Sequence, residues 1–314
     1  EVAADLSALQ DQAEPFPGEA ARATIERELG APIERLFRRF EDAPVAAASI
    51  AQVHRAIDTE GRDVAVKVLR PGIEEAFHST LAETVEIEMD LRFEAAAASE
   101  LAENFAGDSN FIIPRIDWSR TAQRVLTTEW VDGIPIDDRR GLIKAGHDPE
   151  AVIAKAAEAF FLQVFRDGFF HADLHAGNLF VRHDGSIAAV DFGIMGRLDA
   201  NTRYSLAELL LGFLSRDYRR AAEVHFEAGW VPRHRSVAAF TQACRSIGEP
   251  ILDKPQNEIS IGLLLGQLFQ ITKTFEMEVQ TDLLLLQRTI LVAEGTGRAL
   301  CPEANMWLLA RPLM

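Results

Sequence analysis

The sequence predicts an α+β protein with two lobes: a small β-rich amino-terminal lobe that carries extra helices, and a larger, mostly helical carboxy-terminal lobe. Residues 64–69 (VAVKVL) form a β-rich apolar run, which predicts a strand of the first lobe. Two short apolar runs, 179–181 and 187–190, flank Asp184-Gly185 and predict a β-hairpin. After residue 191 the sequence predicts helices nearly throughout, so the second lobe is mainly helical.

The composition is that of a globular chain with a sizeable core. The 314 residues are 48% hydrophobic and carry a formal net charge of −16. This charge argues against nucleic acid as a general partner and against broad electrostatic adhesion to an anionic membrane. Two cysteines, Cys244 and Cys301, are too few for a disulfide scaffold and indicate a reducing compartment. No run approaches the roughly 18 apolar residues that a membrane-spanning helix needs.

Prolines and turn residues divide the chain into three predicted parts. Residues 1–37 are predicted to be a helical extension, residues 38–131 the small lobe and residues 132–314 the large lobe. The helical extension is broken by prolines, which disfavour a continuing helix: Pro15, Pro17 and Pro32. The run 124–131 predicts the last strand of the small lobe, and Asp132-Gly133 predicts the hinge that follows it.

One long helix is predicted to support the loop that carries the most informative motif. Asp148 has the character of an N-cap, and Pro149 suits the first helical turn. The apolar stripe then continues to Asp167, and Gly168 is predicted to end the helix.

That motif is His171-Ala-Asp173 followed by Asn178, with Asp191-Phe-Gly further on. In a protein kinase the catalytic loop is H-x-D-x-x-x-x-N, whose Asp accepts the proton of the attacking hydroxyl and whose Asn holds magnesium. The Asp of a following D-F-G holds magnesium against the nucleotide phosphates. The spacing here therefore predicts Asp173 as the catalytic residue, with Asn178 and Asp191 as Mg²⁺ ligands.

Two other interpretations of these residues stay open. Asp and Asn favour turns and caps, so all three could be ordinary turn residues. Alternatively, His171, Asp173 and His175 could bind a transition metal, although no Cys or further His nearby completes such a site.

The upstream half contains a lysine within an apolar strand. Lys67 is costly to bury without a partner. In kinases the V-A-I-K lysine binds the nucleotide phosphates and pairs with a helix glutamate, for which Glu94 is the candidate. Asp90 lies four residues before Glu94, so the two acids would share a helix face and need a cation, either Lys67 or magnesium. The alternatives are an edge-strand lysine that points to solvent and a solvated acidic face.

A kinase keeps a glycine-rich phosphate loop ahead of this lysine, but no G-x-G-x-x-G is present here. The corresponding residues are Ala46, Ala47, Ala48 and Ser49. Alanine disfavours positive φ, so backbone amides could still face phosphates under a tighter and stiffer cover; spacing alone indicates an ordinary small-residue turn. Glu129 and Val131, at the end of the predicted last strand, are candidates to contact adenine, and plain strand register is the alternative for both.

Taken together, these motifs resemble the UbiB-type atypical kinase-like family, which supports ubiquinone biosynthesis. The resemblance extends from about residue 9 to about residue 302 and lies in six strings: AAASIAQVHRA, VAVKVLRPGI, EMD, FEAAA, FFHADLHAGN and VDFG.

The resemblance implies roles for individual residues. It implies a bilobal protein-kinase-like fold, with an alanine-rich loop over ATP formed by Ala46, Ala47, Ala48 and Ser49. It also implies a Lys67–Glu94 pair and a catalytic-loop Asp173, together with the metal ligands Asn178 and Asp191. Glu88 and Asp90 would be the family's E-x-D acids. A straight helix would separate those two acids, so a joint role requires a helix break or a bridging partner.

One feature of the family is altered in this chain, and two others are expected outside it. The family usually has Pro where Ala176 stands. Its K-x-G-Q element would precede residue 1 and its hydrophobic tail would follow Met314, so we expect a fragment. The implied partners are ATP and ADP, a polyprenyl lipid or ubiquinone precursor, and other ubiquinone-biosynthesis proteins. The full-length protein is expected on the cytoplasmic face of the bacterial inner membrane, at the membrane surface, and this fragment is expected to be soluble.

Three classes of function agree with the sequence. The first is an ATP-dependent atypical kinase or ATPase that serves ubiquinone biosynthesis. The second is a small-molecule phosphotransferase of the aminoglycoside-kinase type, which shares H-x-D and a later Asp. The third is a nucleotide-gated module that binds lipids or a biosynthetic complex without phosphoryl transfer. The alanine-rich loop and E-x-D favour the first class over the second.

Overall fold

The structure, a computed structural model, describes residues 14–72, 90–250, 267, 270–277 and 281–301. The described residues form two compact units, and each unit is assembled from separate stretches of the sequence. Of the described residues, the first unit comprises 14–72, 90–107, 112–132 and 190–193, and the second comprises those at 108–111, 133–189 and beyond 193.

An antiparallel sheet forms the centre of the first unit. Its strand order is β1-β3-β4-β6, and β2 pairs with β3. The bounds are β1 (Phe37–Phe40), β2 (Ala46–Ala47), β3 (Ala51–Asp58), β4 (Asp63–Leu69) and β6 (Val125–Glu129). Strand β4 is central because it pairs with β3 on one side and β6 on the other. The predicted strand at 64–69 is therefore present, with partners on both edges.

Helices cover the two faces of this sheet. Three helices belong to the first unit: α1 (Gly18–Leu29), α2 (Ile33–Leu36) and α3 (Leu91–Asn104). Side chains alternate between the faces of a strand, so Val64, Val66 and Val68 pack into one apolar cluster with residues of α1 and α2. The opposite face of β4 carries Leu69, which packs with Leu91 of α3.

Local sequence explains where these helices begin and end. Pro17 and Pro32 precede α1 and α2, because proline fits helix starts and cannot continue a preceding helix. Gly30 ends α1 in the left-handed conformation, with φ of 67°. Asp90 is the N-cap of α3, and its side chain accepts a hydrogen bond from the backbone N–H of Arg92.

Short strands form two small sheets in the second unit. One sheet has the order β5-β10-β9-β7 and the other pairs β11 with β8. The predicted hairpin is the antiparallel pair β9–β10, in which Ile187 lies opposite Val181. The bounds are β5 (Phe111–Ile112), β7 (Ile134–Pro135), β8 (Phe169–His171), β9 (Leu179–Val181), β10 (Ile187–Ala189) and β11 (Met195–Arg197).

Helices make up most of the second unit. Their bounds are α4 (Arg139–Lys144), α5 (Pro149–Phe161), α6 (Ala200–Leu214), α7 (Tyr218–Glu227), α8 (Val237–Gly248) and α9 (Thr281–Leu300). Tyr218, Phe240 and Phe275 form the aromatic part of a core cluster between α6, α7 and α8. Within the residues whose placement is known, no helix combines the length and the hydropathy that crossing a membrane requires.

The long helix before the catalytic motif differs in one respect from the sequence prediction. Asp148 caps α5 by accepting from the N–H of Glu150, with Pro149 in the first turn, as predicted. The last six residues, Leu162–Asp167, are π-helical rather than α-helical, and Gly168 ends them with φ of 66°. A π-turn adds about one residue per turn and is frequent at functional sites. Gln163, which lies in this segment, is fully buried.

Candidate active site

Lys67 is the centre of a charged cluster in the first unit. Its Nζ atom lies 2.9 Å from Glu94 Oε1, 3.0 Å from Glu94 Oε2 and 2.8 Å from Asp191 Oδ1. The lysine occupies the α3-facing side of β4, because the alternate positions 64, 66 and 68 fill the opposite face. The alternative of an edge-strand lysine that points to solvent is wrong, since β4 is central and the Lys67 side chain is only 16% exposed.

Glu94 reaches Lys67 from the first turn of α3. Its side chain is 7% exposed, and it also accepts a hydrogen bond from the backbone N–H of Phe192. Burial raises the pKa of Glu94 to about 7, opposed by the charge of Lys67 and assisted by that of Asp191. Burial acts to lower the pKa of Lys67, but the carboxylates of Asp191 and Glu94 outweigh it and raise that pKa. Lys67 is therefore held as an ammonium ion.

Asp191 completes this cluster in an uncommon backbone conformation. Its φ is 61°, in the left-handed region that few residues other than Gly, Asn and Asp enter. The backbone N–H of Gly193 donates to Asp191 Oδ1 over 3.4 Å. Half of the Asp191 side chain is exposed, at 49%, so its carboxylate can meet a ligand while one oxygen contacts Lys67. Such local strain is typical of functional positions.

The second predicted acid of this region has a different partner. Asp90 does not share a helix face with Glu94, because it precedes α3 as the N-cap with extended backbone. Its carboxylate pairs with Arg92, which donates from both Nε and Nη2. Arg92, rather than Lys67, is therefore the cation beside Asp90, and a role of Asp90 with magnesium stays a prediction. Glu88, the other predicted E-x-D acid, lies outside the described residues.

The alanine-rich segment forms a narrow hairpin with β3. Ala46 and Ala47 form β2, with Ala46 opposite Val53 and Ala47 opposite Gln52. The N–H of Ala48 donates to the carbonyl of Ala51 and closes the turn that contains Ser49. The small-residue turn predicted from spacing is present, and its role over a nucleotide stays a prediction.

The two predicted adenine contacts lie at the end of β6. Glu129 is the last residue of the strand, lies opposite Val64 and donates its N–H to the carbonyl of Arg115. Val131 follows two residues later, beyond the strand and half-buried. Glu129 is paired as a regular strand residue. The contact of Glu129 and Val131 with adenine remains a prediction.

In the second unit, hydrogen bonds fix the loop that carries Asp173. Gln163, buried in the π-turn, accepts from the N–H of His171 over 2.9 Å. His171 Nδ1 in turn accepts from the N–H of Asp173 over 3.1 Å. Asn178 Nδ2 donates to the carbonyl of Asp173 over 3.0 Å. Because the Asn178 nitrogen is committed to the backbone, its side-chain oxygen is the atom left to accept or to ligate a cation.

The alternative of a transition-metal site on this loop is not supported. His171 is fully buried. His175 Nδ1 accepts from the N–H of Gly177, and its Nε2 is 3.8 Å from Asp173 Oδ2. Over the described parts of the chain, no three or more His, Cys, Asp or Glu side chains are grouped so that they could hold a metal ion. His175 is therefore a loop residue beside Asp173.

Helix α9 brings two residues to this loop that the sequence did not single out. The hydroxyl of Thr289, fully buried, lies 3.0 Å from the carbonyl oxygen of Ala172 and 2.8 Å from that of Leu285. The adjacent Arg288 extends Nη2 to 3.9 Å from Asp173 Oδ1. No sequence signal could identify this contact, because more than one hundred positions separate the two elements in the chain.

The donor atoms at the predicted metal-binding positions fit magnesium. Asp191 offers a half-exposed carboxylate. Asn178 offers its side-chain oxygen, because its side-chain nitrogen already donates to the carbonyl of Asp173. Magnesium prefers such oxygen ligands and usually keeps several waters, so one or two protein ligands with substrate phosphates suffice. The Lys67 ammonium lies between the carboxyl groups of Glu94 and Asp191. Because Asp191 is half-exposed, its carboxylate can attract a further cation.

Comparison with known families matches nearly the whole chain. Residues 8–83 and 75–225 match the ABC1 atypical kinase-like domain, and residues 244–305 match the UbiB helical domain. A structure titled as the complex of Rv3197 with erythromycin, from Mycobacterium tuberculosis, superposes with a TM-score of 0.71 at 25% identity. It covers 96% of this chain and 83% of the other, so the fold is α+β and kinase-like.

Curated relatives named "Probable protein kinase UbiB" match over the entire chain. The protein from Marinobacter nauticus is 43% identical and that from Xanthomonas campestris pv. campestris is 42% identical, each over 100% of this chain. The chain spans 63% and 64% of the length of these two relatives. On these matches, the chain belongs to the UbiB-type family of ABC1 atypical kinase-like proteins.

Proposed function

We propose that this chain binds ATP with Mg²⁺ and breaks the bond to the γ-phosphate, as an atypical kinase or ATPase that supports ubiquinone biosynthesis. The observation that carries the proposal is the contact of Lys67 Nζ with both Glu94 and Asp191, at 2.8–3.0 Å. The Asp191 side chain is half-exposed, so its carboxylate can reach a further cation while one of its oxygens contacts Lys67. Family membership supports the kinase-like class of chemistry.

Each residue of the proposal has one task. Lys67 binds the nucleotide's phosphate oxygens, and Glu94 keeps that ammonium in place. Asn178 and Asp191 would hold Mg²⁺, which would neutralise the charge of the nucleotide's phosphates. Asp173 accepts the proton of the attacking hydroxyl or water. The attacking oxygen then bonds to the γ-phosphorus while the bond from that phosphorus to the bridging oxygen breaks, and ADP leaves.

Membership of the UbiB-type family favours ubiquinone biosynthesis over other uses of this chemistry. A ubiquinone precursor has a phenolic head group and a polyprenyl tail, so we propose that the acceptor or activator is such a lipid at a membrane surface. Other proteins of ubiquinone biosynthesis are the proposed partners.

The test measures the thermal stabilisation by ATP and Mg²⁺ of the wild-type chain and of Asp191→Asn. A ligand that binds only the folded state raises the unfolding midpoint. We expect Mg²⁺-dependent stabilisation of the wild type and loss of most of it in Asp191→Asn. Asp42→Asn is the matched control, because that exposed carboxylate pairs with Arg22 in the same unit, outside the cluster.

Two outcomes contradict the proposal. A wild-type chain that ATP and Mg²⁺ do not stabilise would exclude nucleotide binding, and equal stabilisation of Asp191→Asn would exclude the metal assignment. Phosphate release from ATP is then measured with and without vesicles that contain a polyprenyl phenol. Release that depends on Asp173 and rises with the lipid supports the ubiquinone role, whereas binding without any release indicates a nucleotide-gated module.

A further inference from the structure

Arg70, the first residue after β4, joins two segments of the first unit. Its Nε donates to the carbonyl of Ser49 over 3.2 Å, and its Nη2 lies 3.3 Å from the carbonyl of Ala48. The same Nη2 donates to the carbonyl of Glu14 over 3.0 Å. The guanidinium also lies over the ring of Phe16, 5.3 Å from its centroid. One side chain therefore contacts both the alanine-rich turn and the segment before α1.

A buried glutamine fixes the second of these segments independently. The Gln52 side chain, 1% exposed, accepts from the N–H of Phe16 and donates to the carbonyl of Phe16, each over 3.2 Å. Gln52 lies in β3 opposite Ala47 of β2. The segment at 14–17 is therefore anchored to the hairpin by both Gln52 and Arg70.

The hydrogen bonds to Arg70 also fix which way the peptide groups of the turn face. The carbonyls of Ala48 and Ser49 point to the guanidinium, and the carbonyl of Ile50 accepts from the Arg70 N–H over 2.8 Å. The described peptide bonds are all trans, and in a trans peptide the C=O of one residue and the N–H of the next point in opposite directions. The N–H groups of Ser49 and Ile50 therefore point away from Arg70. Two successive amides that face one way are suited to bind an anion.

We propose that Arg70 is a positioning residue that holds these two amides ready for the nucleotide phosphates and couples that turn to the segment at 14–17. The inference rests on the proposed function, since it names how the alanine-rich turn contributes to nucleotide binding. Arginine suits this task because its rigid fork reaches several carbonyls while its flat face stacks on an aromatic ring. A lysine at the same place is a point charge and could hold only part of this arrangement.

The test compares Arg70→Gln and Arg70→Lys with the wild type, using adenosine, ADP and ATP in the presence of Mg²⁺. Arg22→Gln is the matched control, because the Arg22 guanidinium also lies 5.3 Å from a ring centroid, that of Phe40, and contacts the carbonyl of Phe40. We expect about tenfold weaker binding of ADP and ATP in both Arg70 variants, since charge-assisted hydrogen bonds would be lost. Binding of adenosine, which has no phosphate, stays unchanged.

Hydrogen exchange on the nucleotide-free chain gives a second readout. In Arg70→Gln, the amides of Phe16 and Ala48 should both exchange faster, because Arg70 couples their segments; Arg22→Gln should leave both unchanged. Equal ATP affinity of Arg70→Gln and the wild type would overturn the inference while leaving the proposed function standing. The inference would also be overturned if Arg70→Gln lost equal affinity for adenosine and ATP, or if Arg22→Gln lost as much ATP affinity as Arg70→Gln. A wild type that binds no ATP overturns the proposed function and the phosphate role of Arg70 together.

Discussion

At the scale of single residues, Glu94 carries a carboxyl group with a strongly raised pKa. Its carboxyl is buried against Lys67, and burial raises its pKa from 4.5 to about 7. A carboxyl with a folded-state pKa above its unfolded value stabilises the fold fully below the unfolded pKa, and this contribution is lost as pH rises through the folded pKa. The free energy of unfolding should therefore fall between about pH 4.5 and pH 7 because of this one group.

The prediction that follows concerns Glu94→Gln. Glutamine does not titrate, so the unfolding midpoint of this variant should vary less between pH 5 and pH 8 than that of the wild type. Thermal unfolding at a series of pH values measures the difference. Glu103→Gln is the control, since Glu103 is exposed on the same helix, and it should keep the wild-type slope. If the unfolding midpoints of the wild type and Glu94→Gln changed equally with pH, the prediction would be contradicted.

The sequence identified the partner of Lys67 but not the whole cluster. A lysine in an alternating strand and a glutamate in an alanine-rich helix are local patterns, and together they predicted the pair that the structure contains. The contact between Lys67 and Asp191 joins residues 124 positions apart. It also depends on the left-handed backbone of Asp191. Neither long-range proximity nor a positive φ at a residue other than glycine has a reliable sequence signal.

The π-turn at the end of α5 links secondary structure to the loop that carries Asp173. Gln163 in this turn accepts from the N–H of His171, and His171 Nδ1 accepts from the N–H of Asp173. Gln163→Met keeps the length of the side chain but removes the acceptor, which leaves a buried N–H without its partner. The expected loss is about 1–3 kcal/mol of unfolding free energy, with a larger relative loss of ATP turnover because the loop shifts.

Chemical denaturation and phosphate release measure these two effects. Gln242→Met, an exposed change on α8 of the same unit, is the control and should alter neither. If Gln163→Met keeps wild-type turnover, the π-turn does not position the loop.

Helix α9 is a second element that contacts the same loop. Thr289 fixes it to the carbonyl of Ala172, which brings Arg288 to 3.9 Å from Asp173. Arg288→Gln removes the cation next to the proposed base, so we expect turnover to fall about tenfold while ATP affinity changes little. Arg288→Lys should restore part of the turnover. Arg182→Gln is the control, because Arg182 also pairs with an aspartate over 3.9 Å, but in the β9–β10 hairpin.

Steady-state kinetics separate this effect from a structural one. A purely structural helix contact predicts lower stability with kcat per folded molecule unchanged, and this result would contradict a role of Arg288 in turnover. Equal loss in Arg182→Gln would do the same.

The elements that the sequence predicted are those with local signals. The cap at Asp148-Pro149, the hairpin around Asp184-Gly185 and the left-handed Gly168 all depend on neighbouring residues. The β8–β11 pair was missed, because strands of three residues are too short to show a period of two. The π-helical geometry of Leu162–Asp167 was also missed, since its apolar stripe is indistinguishable from that of an α-helix over so few residues.

At the scale of the whole molecule, the motifs in their order were sufficient to predict the family, and the matches over 8–225 and 244–305 confirm it. The acceptor of the proposed phosphoryl transfer is a different question, because it would depend on the space around the γ-phosphate rather than on the motifs. Ala46 and Ala47 carry methyl groups where a kinase phosphate loop carries glycine hydrogens, and they belong to a paired strand. If this segment covers the nucleotide, as proposed, its stiffness should favour water or a small head group over a polypeptide as acceptor.

The last prediction is therefore weak or absent phosphorylation of added proteins, together with slow ATP hydrolysis that rises near a lipid or phenolic precursor. The chain is incubated with labelled ATP and a mixed protein pool, and transfer to protein is compared with release of phosphate. Ala46→Gly should loosen the cover and change the preference among nucleotides, because glycine frees the backbone at this position. Asp173→Asn is the negative control for both activities. Robust labelling of added proteins that disappears in Asp173→Asn would contradict the prediction and identify an ordinary protein kinase, whereas hydrolysis without labelling is the result that the stiff alanine cover leads us to expect.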